Sequence, residues 1–586
     1  MSSPFHILST IDELIYCILS FVNRKFLIKT CLHICKQWYE QAIKVPVEIT
    51  FEDNNSFVIN KFSSSMHRFG INLTKLTFII PTPFEWIIAT PALTKLTTLV
   101  CTEEYNNRTN LGDYNCSMML LSPNLCNLTD LQLRYCGAGN FALWSLATSP
   151  YLENLKKLEL TRCYYDSDML QVLVEKKFKN LTKLVIDEAP NIKNHVFQKI
   201  IAGPNMLNLK ALSLFDIDIS EFVLVTPMNQ LEKLSIVRTK INKFQTRSNL
   251  PNLTHLFVDQ TMDNRFMEDM FTNSNFPKLK KLTLCSGDTS CDQGIRSIVS
   301  NKYLTNLQTL RLELQCTETS LMLIANSSIL SNLTILDLSN NFDKGSPLPE
   351  LFMTVCNSNY LSKIREVSFS SYPLGTFTCQ ALANGPMSKS LTDIDLSVCN
   401  IGDEGLKCIV SSTGLVNLTR LSIQNNNLTS KGCKYLAQST SITNLKTLEL
   451  NLNTIEDEGV AHICSSPNFK HLLSLDMMTC GLTTDVCEFL AGSKYLNLQL
   501  LNLSENDIGD EGVEILAKSS NMTSLLKLEL SFTGITMKGC EFIVSSPYLK
   551  QLEGVDVYGE TLPGINEYLR VHLPYLEHVC CFEGDD

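Results

Sequence analysis

The stretch from Leu391 to Ile423 reads LTDIDLSVCN IGDEGLKCIV SSTGLVNLTR LSI. Leu391, Ile394 and Leu396 stand at its first, fourth and sixth positions, and Leu418, Leu421 and Ile423 restate that spacing 27 residues later. Ile394 and Leu396 alternate with polar neighbours, the period-2 pattern of a short strand with one face buried. Gly405, Leu406, Ile409 and Val410 follow at helical spacing. Asp403 and Glu404 open that helix, where negative charge suits the positive end of the following helix. A strand and a helix within 27 residues form one supersecondary unit, and the unit repeats.

Working outward, the frame L-x-x-L-x-L continues at Leu445, Leu472, Leu498, Leu525 and Leu552, at intervals of 26 or 27 residues. Upstream it starts at Leu73, Leu96, Leu128, Leu155, Leu181, Leu209, Leu231, Leu253, Leu279, Leu307, Leu333 and Ile364, which makes 19 candidate units in all. Three positions after the last apolar residue stands Asn or Cys, as at Cys163, Cys399, Asn426, Asn453, Cys480 and Asn506. A side chain there can stack in a ladder and bond the backbone where the strand turns away. One unit cannot bury its own apolar face, so the units must stack. The expected fold is an α/β solenoid, curved, with a parallel sheet on the concave side and helices on the convex side. It resembles the leucine-rich repeat family, in the long-repeat subtypes of ribonuclease inhibitor and of cysteine-containing F-box proteins.

The intervals from Leu209 to Leu231 and from Leu231 to Leu253 are only 22, too short for a full outer helix. Those from Leu96 to Leu128 and from Leu333 to Ile364, at 32 and 31, leave room for loops. The expected organisation is a helical segment over 1–45, a solenoid cap over 46–72, repeats over 73–558 and a C-terminal cap or tail over 559–586.

Length alone, 586 residues, would suggest roughly four globular domains of ~150 residues each; the repeat replaces that count. A net charge of −11 argues against broad nucleic-acid binding. The longest apolar runs fall short of the ~18 residues that would span a membrane. Asp12 and Glu13 interrupt the first apolar stretch, against a secretory signal. The 22 cysteines are scattered, as small core residues in a reducing compartment, cytoplasmic or nuclear. Asn-Leu-Thr recurs, for example at Asn127, Asn180, Asn252, Asn332 and Asn417. It matches a glycosylation acceptor, but most copies occupy one fixed position of the repeat, so a structural role is the expectation.

The first fifty residues differ. Thr10-x-x-Glu13 forms a capping box before Leu14, Ile15, Ile18, Leu19, Phe21 and Val22, and a second helical pattern runs through Leu27, Ile28, Cys31, Leu32, Cys35, Trp38 and Ala42. Val45, Val47, Ile49 and Phe51 then alternate as a strand. Asp12-Glu13-Leu14, Ile18 to Val22 and Ile34-Cys35-Lys36-Gln37-Trp38 resemble an F-box, with Thr10-Ile11 where the typical motif has Leu-Pro. The resemblance implies docking to the adaptor of cullin–RING ubiquitin ligases through Leu14, Ile18, Leu19, Phe21, Val22, Ile34 and Trp38. The alternative is a helical cap whose apolar residues form its own core.

Motifs of enzymatic chemistry are missing: no phosphate loop, no His-Glu-x-x-His and no Gly-x-Ser-x-Gly elbow. Cys31-Leu-His33-Ile-Cys35 lacks a second ligand pair, and Cys580-Cys581 with His578 has poor geometry for one metal. No catalytic residue, cofactor or metal is therefore expected. Binding is the productive question. From Leu333 onward the side chains beside the buried strand positions turn acidic, with Asp393, Asp395, Glu449, Asp476, Glu529 and Asp556 as candidate client-binding residues on the concave face. One sign of charge on a concavity focuses the field and steers the opposite charge. The expected function is substrate recognition for an SCF-type (cullin–RING) ubiquitin ligase, with a protein client that carries a basic segment. The alternatives are a scaffold or inhibitor like ribonuclease inhibitor and, more weakly, a GTPase regulator.

Overall fold

The alternation in Leu391–Leu396 becomes the strand Asp393–Asp395, with Ile394 buried between two half-buried aspartates. Leu418, Leu421 and Ile423 are each 0% exposed, so the repeating apolar positions are the core. The computed structural model describes the strands Val47–Phe51 and Leu73–Phe78, then residues 91–102, 112–339, 349–559, 565–576 and 578–580, apart from short interruptions. The helical segment expected over 1–45, with its seven candidate adaptor-binding residues, lies outside the described residues.

Two compact units are present. The first comprises Met1–Thr261 with Glu268–Leu279, the second Met262–Met267 with Lys280–Asp586. In the first, strands from Val47–Phe51 to His255–Asp259 pair in parallel, each with the strand of the next repeat. In the second, the same pairing runs from Lys281–Ser290 to His578–Cys580. Parallel neighbours need a return path, and the outer segment of each repeat provides it. Strands lie about 4.8 Å apart, whereas packed helices need about 8–10 Å. Where helices such as Gly402–Val410 and Ser430–Ala437 form the outer layer, that mismatch bends the sheet side inward.

The two 22-residue repeats solve the crossing differently. In place of outer helices they use the strands Glu221–Leu224 and Lys243–Thr246, which pair in parallel as a separate two-stranded sheet. A strand covers about 3.3 Å per residue against 1.5 Å for a helix, so fewer residues suffice. Phe222 stacks on Phe244 at 5.0 Å with the rings nearly parallel, and both rings are fully buried.

Polar residues at fixed repeat positions join neighbours. Asn453 Oδ1 accepts from the backbone N–H of Asn426 at 2.9 Å and of Leu428 at 3.0 Å, while its Nδ2 donates to the carbonyls of Ile423 and Leu450. Asn426 and Asn506 do the same one and two repeats away. Cysteine fills the same slot with less: the thiols of Cys399 and Cys480 donate to the carbonyls of Phe369 and Leu450. The Asn-Leu-Thr tripeptides have a similar role, since Asn417 donates to Lys389 O and the Thr419 hydroxyl to Thr392 O, both in the preceding repeat.

The acidic residue in the first helical turn reaches a different helix from the one the sequence pattern suggests. Asp403 accepts from the N–H and hydroxyl of Thr429, the N-cap of the next repeat's helix, Asp510 does so for the N-cap Thr536, and Asp457 for Thr483, two residues ahead of the N-cap Asp485. A neighbour's helix start lies within reach because stacking sets the helices side by side. The glycines complete the fit: a Cβ at Gly432 or Gly539 would stand 2.6 Å from the incoming aspartate oxygen.

Asn453→Leu keeps the volume but strips two buried N–H groups and two carbonyls of their partner. Each orphan costs about 1–3 kcal/mol, so a loss of at least about 3 kcal/mol is expected in urea unfolding, against about 1 kcal/mol or less for the exposed Asn417→Ala. Equal losses would show that the asparagine ladder carries no special weight.

Candidate protein-binding site

Strand pairing turns the sequence into rows. The third position of each short strand in the second unit aligns Asp337, Ser368, Asp395, Ser422, Glu449, Asp476, Asn502, Glu529 and Asp556 across successive repeats. The first position aligns Glu366, Asp393, Arg420, Thr447, Ser474, Leu500 and Lys527 beside it. At about 4.8 Å per strand, both rows lie on the face opposite the buried leucines. All six candidate client-binding residues fall in these two rows.

They differ in what they already hold. Arg420 bridges two repeats, 3.1 Å from Asp393 and 3.0 Å from Glu449. Burial works against its charge, and the two carboxylates outweigh that and raise its pKa. Glu529 pairs with Lys527. Asp395 accepts from Ser397 at 2.6 Å and Asp556 from Ser531 at 2.5 Å. Asp476 accepts the Met478 N–H at 3.1 Å. Burial pushes the Asp476 pKa up, and the charges of Glu529 and Glu449 push the same way. Burial raises Asp393 as well, more than Arg420 lowers it. Carboxylates that repel one another in partly dehydrated positions favour a cation brought from outside.

In the first unit the corresponding face neutralises itself. Arg134 bonds Glu159 at 2.5 Å, and Lys157 lies 3.5 Å from both Asp130 and Glu159. These charges are mutual partners, and the run of like-signed carboxylates belongs to the second unit.

One feature of the surface has no sequence signal. The eighth residue of the repeat, just past the strand, is left-handed at Tyr135, Arg162, Glu188, Asp216 and Arg238 in the first unit and at Ser371, Val398, Asn425, Leu452, Thr479, Glu505 and Phe532 in the second. Glycine or asparagine would advertise such a conformation; here only Asn425 and, in the repeat starting at Leu552, the left-handed Gly559 do. Tertiary bonding imposes it, because each of these residues donates its N–H to the seventh residue of the next repeat, as Val398 does to Gln424 and Phe532 to Tyr558. The side chains project along a rim beside the sheet, with Phe532 53% exposed.

In the first unit that rim borders a cavity of about 710 Å³ lined by Arg162, Tyr164, Tyr165, Glu188, Asp216 and Arg238. Among the described residues, Asp187, Glu188 and Asp216 form the one cluster of carboxylates close enough to share a metal ion. Arg162 already pairs with Glu188 and Arg238 with Asp216 at 2.7 Å, so a metal ion would compete with two guanidinium groups. Asp187 is pushed up to about 6, by burial first and then by Glu188 and Asp216.

The Leucine Rich repeat family matches residues 388–410, 415–437, 441–464 and 496–517, all in the second unit. The chain thus contains leucine-rich repeats, whose surfaces serve protein–protein interaction. No curated protein is detectably similar in sequence. Among solved structures, the crystal structure of the TLR13-ssRNA13 complex is similar at a TM-score of 0.47 and 17% identity, over 88% of this chain and 71% of that chain. No helix among the described residues is long and apolar enough to cross a membrane.

The raised Asp187 makes the first unit pH-sensitive. Its folded pKa exceeds the unfolded value of 3.8, so the folded state holds the extra proton, and the ionised form becomes a penalty as pH rises from about 3.8 to about 6. Asp187→Asn should therefore raise the thermal unfolding temperature at pH 7.5 and leave it unchanged at pH 3.5. A variant that melts lower than the parent at pH 7.5 contradicts this origin of the shift.

Proposed function

We propose that this chain is a non-enzymatic receptor for a protein client with a basic segment, and that it presents the client to a cullin–RING ubiquitin ligase. One observation carries the first half: in the second unit, carboxylates recur at aligned strand positions, and the chain supplies fewer cations than the rows hold acids. From Asp337 to Asp556, eight acidic residues in the two rows (Asp337, Glu366, Asp393, Asp395, Glu449, Asp476, Glu529 and Asp556) stand against Arg420 and Lys527, with Arg311 of the preceding strand 3.9 Å from Asp337. Fields of one sign on such a face steer association and set register more than they add raw affinity.

The second half rests on the resemblance of residues 10–38 to an F-box. In this reading Leu14, Ile18, Leu19, Phe21, Val22, Ile34 and Trp38 hold the adaptor, and the ligase chemistry belongs to other subunits. The cytoplasm and nucleus, where those ligases work, would be the location.

Two measurements separate the halves. Co-purification with the adaptor is expected for the native chain and lost in the Leu14→Asp, Leu19→Asp variant; no adaptor with either chain leaves a leucine-rich repeat scaffold or inhibitor without a ligase role. Neutralising Asp393, Asp395, Glu449 and Asp476 together to Asn or Gln should weaken client capture at least about tenfold at low salt, less so as salt screens the field. Capture should also fall on acidification, and begin to fall above the ordinary carboxylate range, because Asp476 takes its proton early. Capture that ignores both charge and salt discards the acidic face as the docking site.

A further inference from the structure

The two rims give the same geometry opposite electrostatic endings. In the first unit, Tyr135, Arg162 and Glu188 are the eighth residues of three successive repeats, all left-handed. The Arg162 guanidinium lies 5.1 Å from the centre of the Tyr135 ring and pairs with Glu188. Ring, guanidinium and carboxylate therefore stack along the rim, and the chain provides all three.

At the second unit's rim the eighth residues of the repeats starting at Leu472, Leu498 and Leu525 are Thr479, Glu505 and Phe532, again left-handed. A cavity of about 810 Å³ opens there, lined by Glu505, Asp507, Phe532, Leu482, Thr483 and Gly534 among others. Ring and carboxylates are present, but neither Glu505 nor Asp507 has an ion-pair partner among the described residues. Glu505 accepts only the Thr479 hydroxyl, at 2.8 Å. Phe532 is held in place: its ring meets Tyr558 edge-on at 5.7 Å, and a Cβ on Gly559 would collide with it at 2.2 Å. A half-exposed aromatic fixed on a left-handed backbone is a conformation that costs free energy and persists where surroundings over-determine it.

We infer that this cavity is a specificity pocket for an arginine side chain of the protein client, seated on the Phe532 ring with its guanidinium between Glu505 and Asp507. Arginine fits better than lysine because its planar, weakly hydrated head can stack and fork to carboxylates at once. The assignment rests on the reading of the second unit as a receptor for a basic segment, and it places the side-chain selectivity at the rim rather than on the sheet.

The test uses the full chain and fluorescein-labelled hexa-arginine, with hexa-lysine and hexa-glutamate as comparisons, read by fluorescence anisotropy. Three variants are needed: Glu505→Gln with Asp507→Asn, Phe532→Ser, and Asp395→Asn with Asp476→Asn on the sheet face, each checked for an unchanged melting temperature. Hexa-arginine should bind more tightly than hexa-lysine, lose at least about tenfold in affinity with the carboxylate variant, and lose its advantage over hexa-lysine in Phe532→Ser. The carboxylate change is isosteric and leaves the Phe532 packing alone, so it decides the matter if Phe532→Ser is poorly folded. Hexa-arginine binding that survives the carboxylate variant but drops with the sheet-face variant overturns the pocket and spares the receptor reading. Binding that no variant changes, or no binding at all, overturns both.

Discussion

Every repeat leaves backbone groups that only its neighbour can satisfy, and this shared hydrogen bonding is the constraint on which the rest depends. The strand bonds sideways to the next strand, the turn after it bonds to the next turn, and the helix start is capped by the previous repeat's aspartate. Leucine burial supplies most of the stabilisation, about 1.5–3 kcal/mol for each side chain taken from water. Burial has no direction, however, and an apolar stripe alone would tolerate sliding. Asn426, Asn453 and Asn506 remove that freedom, since their amides meet donors and acceptors from two repeats at once and any slip would strand them.

Fixed register has an electrostatic consequence. Residues 27 apart in the chain become neighbours across one strand spacing, so a composition bias that is mild along the sequence becomes a row on the surface. The first unit places acids beside bases and cancels them, as at Arg134 and Glu159. The second unit lines up Glu449 with Asp476 and Glu529 with Asp556, and burial together with Glu529 and Glu449 pushes the Asp476 carboxyl up. Such an arrangement is costly for folding, and an opposite charge arriving from outside relieves it.

The rim follows from the same bonding. In twelve repeats among the described residues the eighth residue turns its N–H toward the next repeat through the left-handed conformation, whereas Gln260 and Leu314 at the same position are not left-handed. The demand is on the backbone, so the side chain is free to vary in kind: Arg162, Val398, Glu505 and Phe532 all occupy the position. Invariant backbone with variable side chains is how loops on rigid scaffolds carry recognition, and here the variable row runs beside the acidic face.

Much of this architecture was legible before any coordinates. The period of leucine and isoleucine identified strand, helix and stacking, since burial of a periodic face leaves few alternatives, and the asparagine position announced its ladder. The two 22-residue repeats showed that an outer helix would not fit, though not that Phe222 and Phe244 would stack in a small second sheet. The acidic positions could be named, because alternation decides which side chains leave the core. Tertiary structure alone decided how those charges are spent: Arg420 committed to Asp393 and Glu449, Asp403 to a helix one repeat away. It also decided the left-handed rim. Local propensity speaks for a residue's own segment, whereas these partners come from the adjoining coil, about 27 positions distant along the chain and one strand spacing away in space.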